Sequence, residues 1–454
     1  TFRRKKDAEE LSCGFEDKLK RYAESGIKNY THSVDLWMKN SGLIIDCDEK
    51  KNALRNLFKN SKVAFIYGAA GTGKSTMINY ISSLFKDKQK IFLANTNPAV
   101  ENLRRKVTAE HAEFVTITKF LSKDVSNDCD ILCLDECSTI SNRDMVRVLQ
   151  RAQCKLLVLV GDIYQIESIL FGNWFNIAYK VMPKDSVAEL TRPHRTTVQG
   201  LIEVWNKVRE ITEDRLEFIT RNGLSSTLDE SIFSRTEEDE IVLCLNYDGI
   251  YGINNINKFL QSNNVNPSIN WGVLSYKVGD PVLFNESNRF APLVYNNLKG
   301  KILQIEEEED CIYFTIEVYT VLNELDVIGF DLELKESVTD ETSVIRFKVG
   351  RGGDGNDDND NVENVVPFQV AYAISIHKAQ GLEYESVKVV ITSEIEEMVS
   401  HNIFYTAITR AKSKLKIYWS PETEKRILEN MKVQFNDKDY QLFKAKYKEA
   451  LLKS

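Results

Sequence analysis

Short apolar runs alternate with stretches of helical periodicity from residue 63 onward. The runs at 63–67, 91–94, 131–134 and 156–160 consist entirely of apolar residues. Continuous apolar runs of this length are typical of strands buried on both faces. The stretches between them place apolar residues three or four positions apart, as amphipathic helices do. This alternation predicts an α/β fold with a parallel sheet covered by helices on both faces.

A second set of runs predicts a second parallel sheet with an insertion. The runs at 242–245 and 387–391 repeat the buried-strand pattern. Between them, residues 271–349 contain shorter runs divided by turn residues, and these runs cover 282–284, 301–305, 311–318 and 344–349. Several short strands separated by turns predict a small β-barrel.

An acidic Gly/Asp/Asn-rich segment follows at residues 350–363. Its near lack of apolar residues predicts a flexible loop. A calcium loop is disfavoured because the terminal glutamate spacing of an EF-hand is absent.

These patterns predict seven segments along the chain. They are a helical N-terminal segment (1–43), a first α/β domain (44–184), the first part of a second α/β domain (185–270), the barrel-like insertion (271–349), the acidic loop (350–363), the second part of the second domain (364–420) and C-terminal helices (421–454). The chain starts at Thr1 without an initiator methionine. We therefore expect the first segment to be the remnant of a larger N-terminal region, with a further domain or a partner protein outside this chain.

Composition narrows the class of protein only slightly. With 43% hydrophobic and 28% charged residues, most of the 454 residues are expected to fold. A net charge of −8 disfavours a protein that coats nucleic acid through its overall charge, but it permits a local basic channel. No apolar run is long enough to cross a bilayer and no signal peptide opens the chain, so we expect no membrane partner and a cytoplasmic location.

The eight cysteines lack paired CxxC spacing, which indicates a reducing compartment rather than a disulfide scaffold. Cys129, Cys133 and Cys137 are evenly spaced, which is compatible with a metal cluster. They lie on or beside the apolar run 131–134, where a free cysteine acts as a small buried hydrophobe. We therefore favour the structural interpretation of these three residues.

The segment GAAGTGKS at residues 68–75 matches a phosphate-binding loop between a predicted strand and a predicted helix. Its glycines allow backbone N–H groups to surround a phosphate, the lysine reaches the β- and γ-phosphates, and the serine hydroxyl binds Mg²⁺. The expected nucleotide-binding residues are Gly68, Gly71, Thr72, Gly73, Lys74, Ser75 and Thr76.

Two acidic residues, Asp135 and Glu136, end the apolar run 131–134. Asp135 would hold Mg²⁺ together with Ser75, and Glu136 would polarise the attacking water. Acids at the end of a strand are common and a weak signal alone. Downstream of a phosphate-binding loop they predict a site for ATP hydrolysis.

Six further segments strengthen this prediction. They are ANTNPAVENL (94–103), TITKF (116–120), GDIYQ (161–165), LTRPHR (190–195), SIHKAQGLE (375–383) and YTAITRA (405–411). With these segments, the chain from about residue 44 to 419 resembles the RecD-like and Dda-like branch of superfamily-one helicases. The resemblance implies two RecA-like motor domains with an SH3-like barrel in the second. It also implies ATP and Mg²⁺ as cofactors and 5′→3′ movement on single-stranded DNA.

The resemblance also implies roles for individual residues. Gln165 would sense the γ-phosphate, and Arg195 and Arg410 would stabilise the charge that develops on it as the second domain closes over ATP. The expected catalytic residues are Lys74, Glu136, Gln165, Arg195 and Arg410, with Gly381 and Glu383 as further nucleotide contacts. The expected nucleic-acid contacts are Thr96, Asn97, Thr116, Ser375, His377 and Lys378.

The chain departs from this family's pattern in two places. Lys50 stands where relatives carry a glutamine that reads adenine, so adenine selectivity is not predicted. IESI at 166–169 replaces a proline-rich continuation, so strand contacts are not carried over there. Aromatic residues could stack on bases, but we favour the core interpretation for all five candidates, which are Trp174, Phe175, Phe284, Phe290 and Tyr295.

Two alternatives stay open at this point. RNA helicases share the same motifs, and contacts to phosphates and base faces do not distinguish ribose from deoxyribose. A regulatory ATP-binding switch is the second alternative, although the full set of catalytic side chains argues against it. The biological pathway, whether repair, mobile-element transfer or phage defence, is not indicated.

Overall fold

The computed structural model describes residues 19, 22–23, 25–69, 71–122, 127–165, 174–180, 182–192, 196–285, 289–291, 293–337, 339–351 and 364–431. The chain separates into two compact units. Unit one comprises Thr1–Thr212, Ser400–Thr409 and Met431–Ser454, and unit two comprises Glu213–Val399 and Arg410–Asn430.

A six-stranded parallel sheet forms the centre of unit one, with the strand order β3-β2-β4-β5-β1-β6. Its strands are β1 (Val63–Gly68), β2 (Lys90–Ala94), β3 (Ala112–Thr116), β4 (Ile131–Leu134), β5 (Leu156–Gly161) and β6 (Val187–Leu190). Every pairing between neighbouring strands is parallel. The helices of this unit are α1 (Tyr30–Asn40), α2 (Asp48–Asn56), α3 (Lys74–Leu84), α4 (Asn97–Lys106), α5 (Ile117–Leu121), α6 (Asn142–Arg151), α7 (Trp174–Ala178), α8 (Gln199–Glu210) and α11 (His401–Ile408).

Both faces of this sheet are buried, as the continuous apolar runs predict. On β1, Phe65 packs into one apolar cluster and the next residue, Ile66, into another. Leu134 and Cys133 divide in the same way on β4. Because side chains alternate between the two faces of a strand, a strand covered on both sides needs apolar residues at every position.

A five-stranded parallel sheet lies in unit two, with the order β17-β8-β18-β19-β7. Its strands are β7 (Ser225–Ser226), β8 (Glu240–Cys244), β17 (Ala373–Ser375), β18 (Tyr384–Val390) and β19 (Ala411–Tyr418). The helices of this unit are α9 (Arg215–Arg221), α10 (Ile253–Ser262) and α12 (Pro421–Asn430). Two sheets of parallel strands covered by helices confirm the α/β fold class.

The predicted insertion 271–349 contains most of a six-stranded antiparallel sheet and a hairpin, and the last strand of that sheet lies beyond the expected end at residue 349. The hairpin joins β9 (Ser268–Trp271) to β10 (Leu274–Lys277). The sheet has the order β14-β15-β13-β12-β11-β16, with strands β11 (Pro281–Phe284), β12 (Lys299–Glu307), β13 (Cys311–Val318), β14 (Glu333–Lys335), β15 (Ser343–Gly350) and β16 (Phe368–Val370). Among the described strands no pairing joins β14 to β16. Closure into an SH3-like barrel therefore stays a prediction.

The five aromatic candidates for base stacking belong to the two cores. Trp174 and Phe175 pack in unit one, and Phe284, Phe290 and Tyr295 pack in the insertion. None of the five side chains is more than 7% exposed. Base stacking by these rings would require the core to open, so the core interpretation is confirmed.

The cysteines are free throughout the described ranges, and Cys129, Cys133 and Cys137 are buried. Burial raises the pKa of all three thiols. No group of three or more His, Cys, Asp or Glu side chains in these ranges is arranged to hold a metal ion. The three cysteines therefore act as small apolar residues of the unit-one core.

One expected domain boundary, after residue 184, can be compared with the strand pairing. It falls just before β6, which pairs with β1 in the first sheet, so this sheet extends past the expected boundary. Most of the N-terminal segment before residue 25, most of the acidic loop 350–363 and the helices expected after residue 431 lie outside the described residues. In the part of the chain that the structure describes, no helix is long and apolar enough to span a membrane.

Candidate nucleotide site and nucleic-acid surface

The carboxyl ends of the strands in unit one share one edge of the sheet because all six strands run parallel. The phosphate-binding loop follows β1, and the acidic pair follows β4 between β2 and β5. Thr96 comes after β2, Thr116 ends β3, and the segment 161–165 leaves β5. The topology therefore brings five of the sequence motifs to one edge.

The phosphate-binding loop depends on glycine at three positions. Gly71 and Gly73 have φ angles of 77° and 86°, in the left-handed region that side chains disfavour. At Gly68 the conformation is ordinary, but a Cβ atom would lie 2.4 Å from the carbonyl oxygen of Leu190 on β6. Two of the glycines therefore supply the turn and the third permits close backbone contact.

Two side chains of the loop donate hydrogen bonds to its own backbone carbonyls. Lys74 donates from Nζ to the carbonyl oxygens of Gly68 (2.8 Å) and Ala69 (2.9 Å). Thr72 Oγ1 donates to the same Ala69 carbonyl at 2.9 Å. Lys74 is the first residue of α3, so the ammonium lies where backbone N–H groups at the start of that helix also favour an anion.

Ser75 and Thr76 are the next two residues of α3 and are half-buried. Both hydroxyls belong to the first turn of the helix, immediately after the loop. Ala70 lies outside the described residues.

The acidic pair after β4 has a strained backbone. Glu136 has φ 51° and ψ 39°, a left-handed conformation that is uncommon outside glycine and is often found at functional sites. The Glu136 N–H donates to Asp135 Oδ1 at 2.8 Å, and Thr139 Oγ1 donates to the Glu136 carbonyl at 2.9 Å. The turn is therefore held by hydrogen bonds to Asp135 and Thr139 on either side of Glu136.

Burial raises the pKa of Asp135, and the positive charges of Lys74 and Lys106 partly oppose that effect. The desolvated carboxylate therefore gains from a cation beside it. A hydroxyl at Ser75 and a carboxylate at Asp135 are the hard oxygen ligands that Mg²⁺ prefers. The donor set fits this ion.

Gln165 lies in a turn after β5, where its N–H donates to the Asp162 carbonyl at 3.3 Å. The neighbouring ring of Tyr164 meets two aromatic side chains of α11 edge-on, His401 at 6.2 Å and Tyr405 at 6.3 Å between ring centroids. Helix α11 carries residues 405–408 of the segment 405–411 and belongs to unit one. Residues that lie far apart in the sequence, near 164 and 405, therefore pack together inside unit one.

Arg209 joins this aromatic cluster, although the sequence analysis did not single it out. Its guanidinium lies 4.9 Å from the centre of the Tyr164 ring and 2.5 Å from Glu189 Oε1. A signal existed in the sequence. The buried stripe of α8 consists of Leu201, Val204, Trp205, Val208 and Arg209, so an arginine occupies a position that the helical period assigns to the core.

Lys50 occupies a defined place beside the phosphate-binding loop. Its side chain is 1% exposed. It forms an ion pair with Asp46, which lies four residues earlier, just before α2 begins. A Cβ atom added at Gly73 would lie 2.5 Å from Lys50 Nζ. The ammonium therefore lies against the loop at Gly73, a placement that the sequence analysis did not predict.

The expected nucleic-acid residues of unit one begin two helices. Thr96 Oγ1 accepts from the Ala99 N–H at the start of α4, and Thr116 Oγ1 accepts from the Lys119 N–H at the start of α5. Thr96 and Asn97 are exposed. The two threonines lie close together because Ala94 on β2 is aligned with Thr116 on β3.

The expected nucleic-acid residues of unit two follow β17. Ser375 Oγ accepts from the Lys378 N–H at 3.2 Å, and Lys378 Nζ donates to Gln369 Oε1 at 2.9 Å. Burial lowers the pKa of Lys378. His377 is exposed at the turn. Gly381 ends this turn in the left-handed region, with φ 78°.

Arg410 lies between α11 and β19 at the start of unit two, and it is 3% exposed. Its guanidinium donates to the Leu382 carbonyl at 3.2 Å, and its own carbonyl accepts from the Tyr384 N–H at 3.0 Å. Glu383, between these two contacts, is half-buried. Arg195, the other expected catalytic arginine, lies outside the described residues.

Parallel sheets with a phosphate-binding loop after β1 and an acidic pair after β4 define a P-loop ATPase. Comparison with known families places the chain more closely. The AAA domain family matches residues 47–229, and the UvrD-like helicase C-terminal domain family matches residues 370–418.

Curated relatives agree with this placement at low identity. The RecBCD enzyme subunit RecD of Buchnera aphidicola (subsp. Schizaphis graminum) is 23% identical over 85% of this chain and 78% of that protein. The ATP-dependent DNA helicase Pif1 of Campylobacter jejuni is 23% identical over 78% of this chain and 88% of that protein. An uncharacterized protein of Methanocaldococcus jannaschii, MJ1519, is 24% identical over 81% of this chain, which spans only 37% of that protein.

Among solved structures, the Pif1 helicase from Candida albicans matches with a TM-score of 0.52 and 19% identity, covering 89% of this chain and all of that one. This likeness shows the fold, with two RecA-like domains. Two family models over separate parts of the chain and relatives of 23% identity together support a RecD/Pif1-like P-loop helicase of superfamily one.

Proposed function

We propose that this chain is an ATP-dependent helicase that translocates 5′→3′ along single-stranded DNA. The observation that carries the proposal is the common edge of the unit-one sheet. There the loop with Lys74 follows β1, and the acids Asp135 and Glu136 follow β4. At the same edge the exposed Thr96 comes after β2, and Thr116 ends β3. A relative named as the DNA helicase Pif1 and relatives named as RecD subunits support DNA as the substrate. The 5′→3′ direction is what the resemblance of the sequence motifs to the RecD-like branch implies.

The nucleotide is ATP, held by the loop from Gly68 to Thr76. Ser75 and Asp135 would hold Mg²⁺, which supplies charge neutralisation at the β- and γ-phosphates. Lys74 binds the same phosphate oxygens, and Glu136 accepts the proton of the attacking water. Burial raises the pKa of Asp135, and a cation bound beside it would oppose that effect by stabilising the charged carboxylate.

Charge stabilisation during phosphoryl transfer falls to polar residues outside the loop. Gln165 is the proposed sensor of the γ-phosphate, and Arg195 and Arg410 are the proposed arginines that stabilise the developing charge. Gly381 and Glu383 are the proposed nucleotide contacts in unit two. Glu383 is adjacent to the carbonyl that binds Arg410, so the two form one structural element.

Single-stranded DNA is held through its phosphates by Thr96, Asn97 and Thr116 in unit one. Ser375, His377 and Lys378 act in the same way in unit two. The N-terminus of α4 favours an anion beside Thr96, since its first N–H groups have no partner within the helix.

The free cysteines of the described ranges support a reducing compartment, and we place the protein in the cytoplasm.

Steady-state ATP hydrolysis with and without single-stranded DNA tests this function. We expect strong stimulation by poly(dT), lost in Glu136→Gln, because an amide cannot accept the proton of the attacking water. Unwinding of duplexes with a 5′ or a 3′ tail then tests the direction. Stimulation by poly(U) but not poly(dT) would replace DNA with RNA, and hydrolysis indifferent to both would favour a regulatory ATPase.

A further inference from the structure

Lys299, the first residue of β12 in the insertion, extends toward the parallel sheet of unit two. Its ammonium lies 2.6 Å from Asp239 Oδ1 and 3.2 Å from the carbonyl oxygen of Glu383. The ring centre of Tyr384 is 4.1 Å away and that of Tyr319 is 5.1 Å away. A cation with an acidic partner, a carbonyl and two ring faces is fixed in position.

This site lies in a partly desolvated place. The side chain of Lys299 is 18% exposed, and burial lowers its pKa although Asp239 opposes the shift. An ion pair used only to join two sheets could be replaced by a pair of apolar residues at little cost. The exact set of polar contacts therefore calls for a role beyond packing.

Asp239 holds the same stretch of chain from the other side. Its Oδ2 accepts from the Glu385 N–H at 3.2 Å, and its carbonyl accepts from the Ser386 N–H at 3.1 Å. Lys299 binds the carbonyl of Glu383. The lysine–aspartate pair thus holds residues 383–386 through three hydrogen bonds. Lys299 binds one carbonyl, and Asp239 binds two N–H groups.

Arg410 contacts the start of the same stretch of chain, at residues 382 and 384. Its guanidinium donates to the Leu382 carbonyl, and its carbonyl accepts from the Tyr384 N–H. Tyr384 is therefore bonded to Arg410 through its backbone and covered by Lys299 on its ring. A shift of Lys299 displaces the peptide that orients Arg410.

We propose that Lys299, together with Asp239, is a positioning residue for Arg410 and links the antiparallel insertion to the arginine that acts on the γ-phosphate. The inference rests on the proposed function, because it assigns Arg410 a part in hydrolysis. Lys299 does not touch nucleotide in this role. It acts through the 382–384 peptide, so its effect requires the Arg410 side chain.

A double-mutant cycle on the full chain tests this dependence. ATP hydrolysis at saturating poly(dT) is measured for the wild type, Lys299→Met, Arg410→Ala and the double variant. We expect Arg410→Ala to lower kcat about 10³-fold. Lys299→Met should lower kcat about tenfold with the KM for ATP within twofold of wild type, since only transition-state stabilisation is lost. The double variant should match Arg410→Ala, because residues that act as a unit are not additive.

Three comparisons separate positioning from loss of structure. Lys299→Arg keeps the cation and should recover most of kcat. Lys301→Met, two residues along β12, removes a partly exposed lysine paired with the largely exposed Glu238 and should leave kcat within twofold of wild type. Should Lys299→Met fold poorly by thermal melting, Asp239→Asn replaces it in the cycle, since the amide keeps the shape and loses the charge.

The outcomes are distinct. A Lys299→Met enzyme with wild-type kcat, or a double variant that is another tenfold slower than Arg410→Ala, overturns the positioning role and leaves the helicase function standing. A wild type that hydrolyses no ATP overturns both. A tenfold loss that disappears in the Arg410→Ala background establishes the link.

Discussion

The two parallel sheets support their chemistry-bearing residues in different ways. At the unit-one edge several supports are local: Gly71 and Gly73 shape the loop, and the Glu136 N–H bonds to Asp135 one residue away. In unit two, Glu383 is held by Lys299, which is 84 residues away in the chain. Local supports can be encoded in a short motif, whereas distant supports depend on the rest of the fold.

Buried charge follows the same division. In unit two Lys388 on β18 and Glu240 on β8 form an ion pair with side chains that are 6% and 2% exposed. Lys388 also donates to the carbonyl oxygens of Ser231 (2.9 Å) and Ser234. In unit one, Lys74 donates to two carbonyl oxygens of its own loop. The buried cation Lys388 thus has partners far away in the chain, whereas these partners of Lys74 are local. We expect Lys388 to act on stability and Lys74 on hydrolysis.

Replacing Lys74 by alanine tests the chemical side of this comparison and should have the largest effect. We expect kcat for ATP hydrolysis to fall about 10²–10³-fold, because a preorganised positive charge at the γ-phosphate is lost. The melting temperature should change little, since the two loop carbonyls that Lys74 contacts belong to its own loop. Residual activity within tenfold of wild type, or a protein that no longer folds, would contradict the local character of this site.

Replacing Lys388 by methionine tests the structural side. Glu240 would stay buried with hydroxyl donors from Thr236 and Ser386 but without a cation. We expect the free energy of unfolding in urea to fall by about 3 kcal/mol, since breaking a buried pair leaves an uncompensated charge.

Lys414→Met on the neighbouring β19 is the matched control. Its side chain is 58% exposed and pairs with Glu237 at the surface, so the loss should stay below about 0.5 kcal/mol. Equal losses for the two variants would show that burial does not distinguish these pairs.

The sequence predicted most of what depends on local pattern. The runs at 131–134 and 311–318 match β4 and β13 because buried or alternating strands leave a direct hydrophobic signature. Strand β3 was missed, since AEFVT at an edge of the sheet is neither continuous nor strictly alternating in apolar residues. Edge strands are covered less, so their sequences are less constrained.

The candidate site divides in the same way. The loop 68–75 and the acids after β4 were predicted because their chemistry needs fixed residues at fixed spacing. Lys50, Arg209 and Lys299 were not assigned roles, because each acts through contacts that only the folded chain creates. The roles of the predicted residues in hydrolysis and in DNA binding stay predictions until they are measured.

Replacing Gly73 by alanine separates two reasons for glycine in the loop. A side chain there meets both the left-handed φ of 86° and Lys50 Nζ at 2.5 Å. The backbone alone costs about 1–2 kcal/mol, so ATP should bind about tenfold more weakly in equilibrium titration. Adding Lys50→Ala removes the contact and should recover only part of the affinity.

Gly223→Ala in unit two is the control for strain without a neighbour. Its φ is 64° and a Cβ would have no atom within 4 Å. It should lower the free energy of unfolding by about 1 kcal/mol and leave ATP affinity unchanged. Full recovery of ATP binding in the Gly73→Ala, Lys50→Ala double variant would show that contact rather than conformation requires the glycine.

Gly200→Ala should have the smallest effect and the opposite sign. Gly200 is the second residue of α8, its φ lies outside the left-handed region, and a Cβ would meet no atom within 4 Å. Alanine has fewer backbone conformations than glycine in the unfolded chain, and it forms helices more readily. We therefore expect the free energy of unfolding in urea to rise by about 0.5 kcal/mol. ATP hydrolysis should be unchanged. Destabilisation at Gly200 would mean that α8 needs its glycine as the loop does, and the contrast between a glycine required by the nucleotide site and a glycine tolerated in a helix would fail.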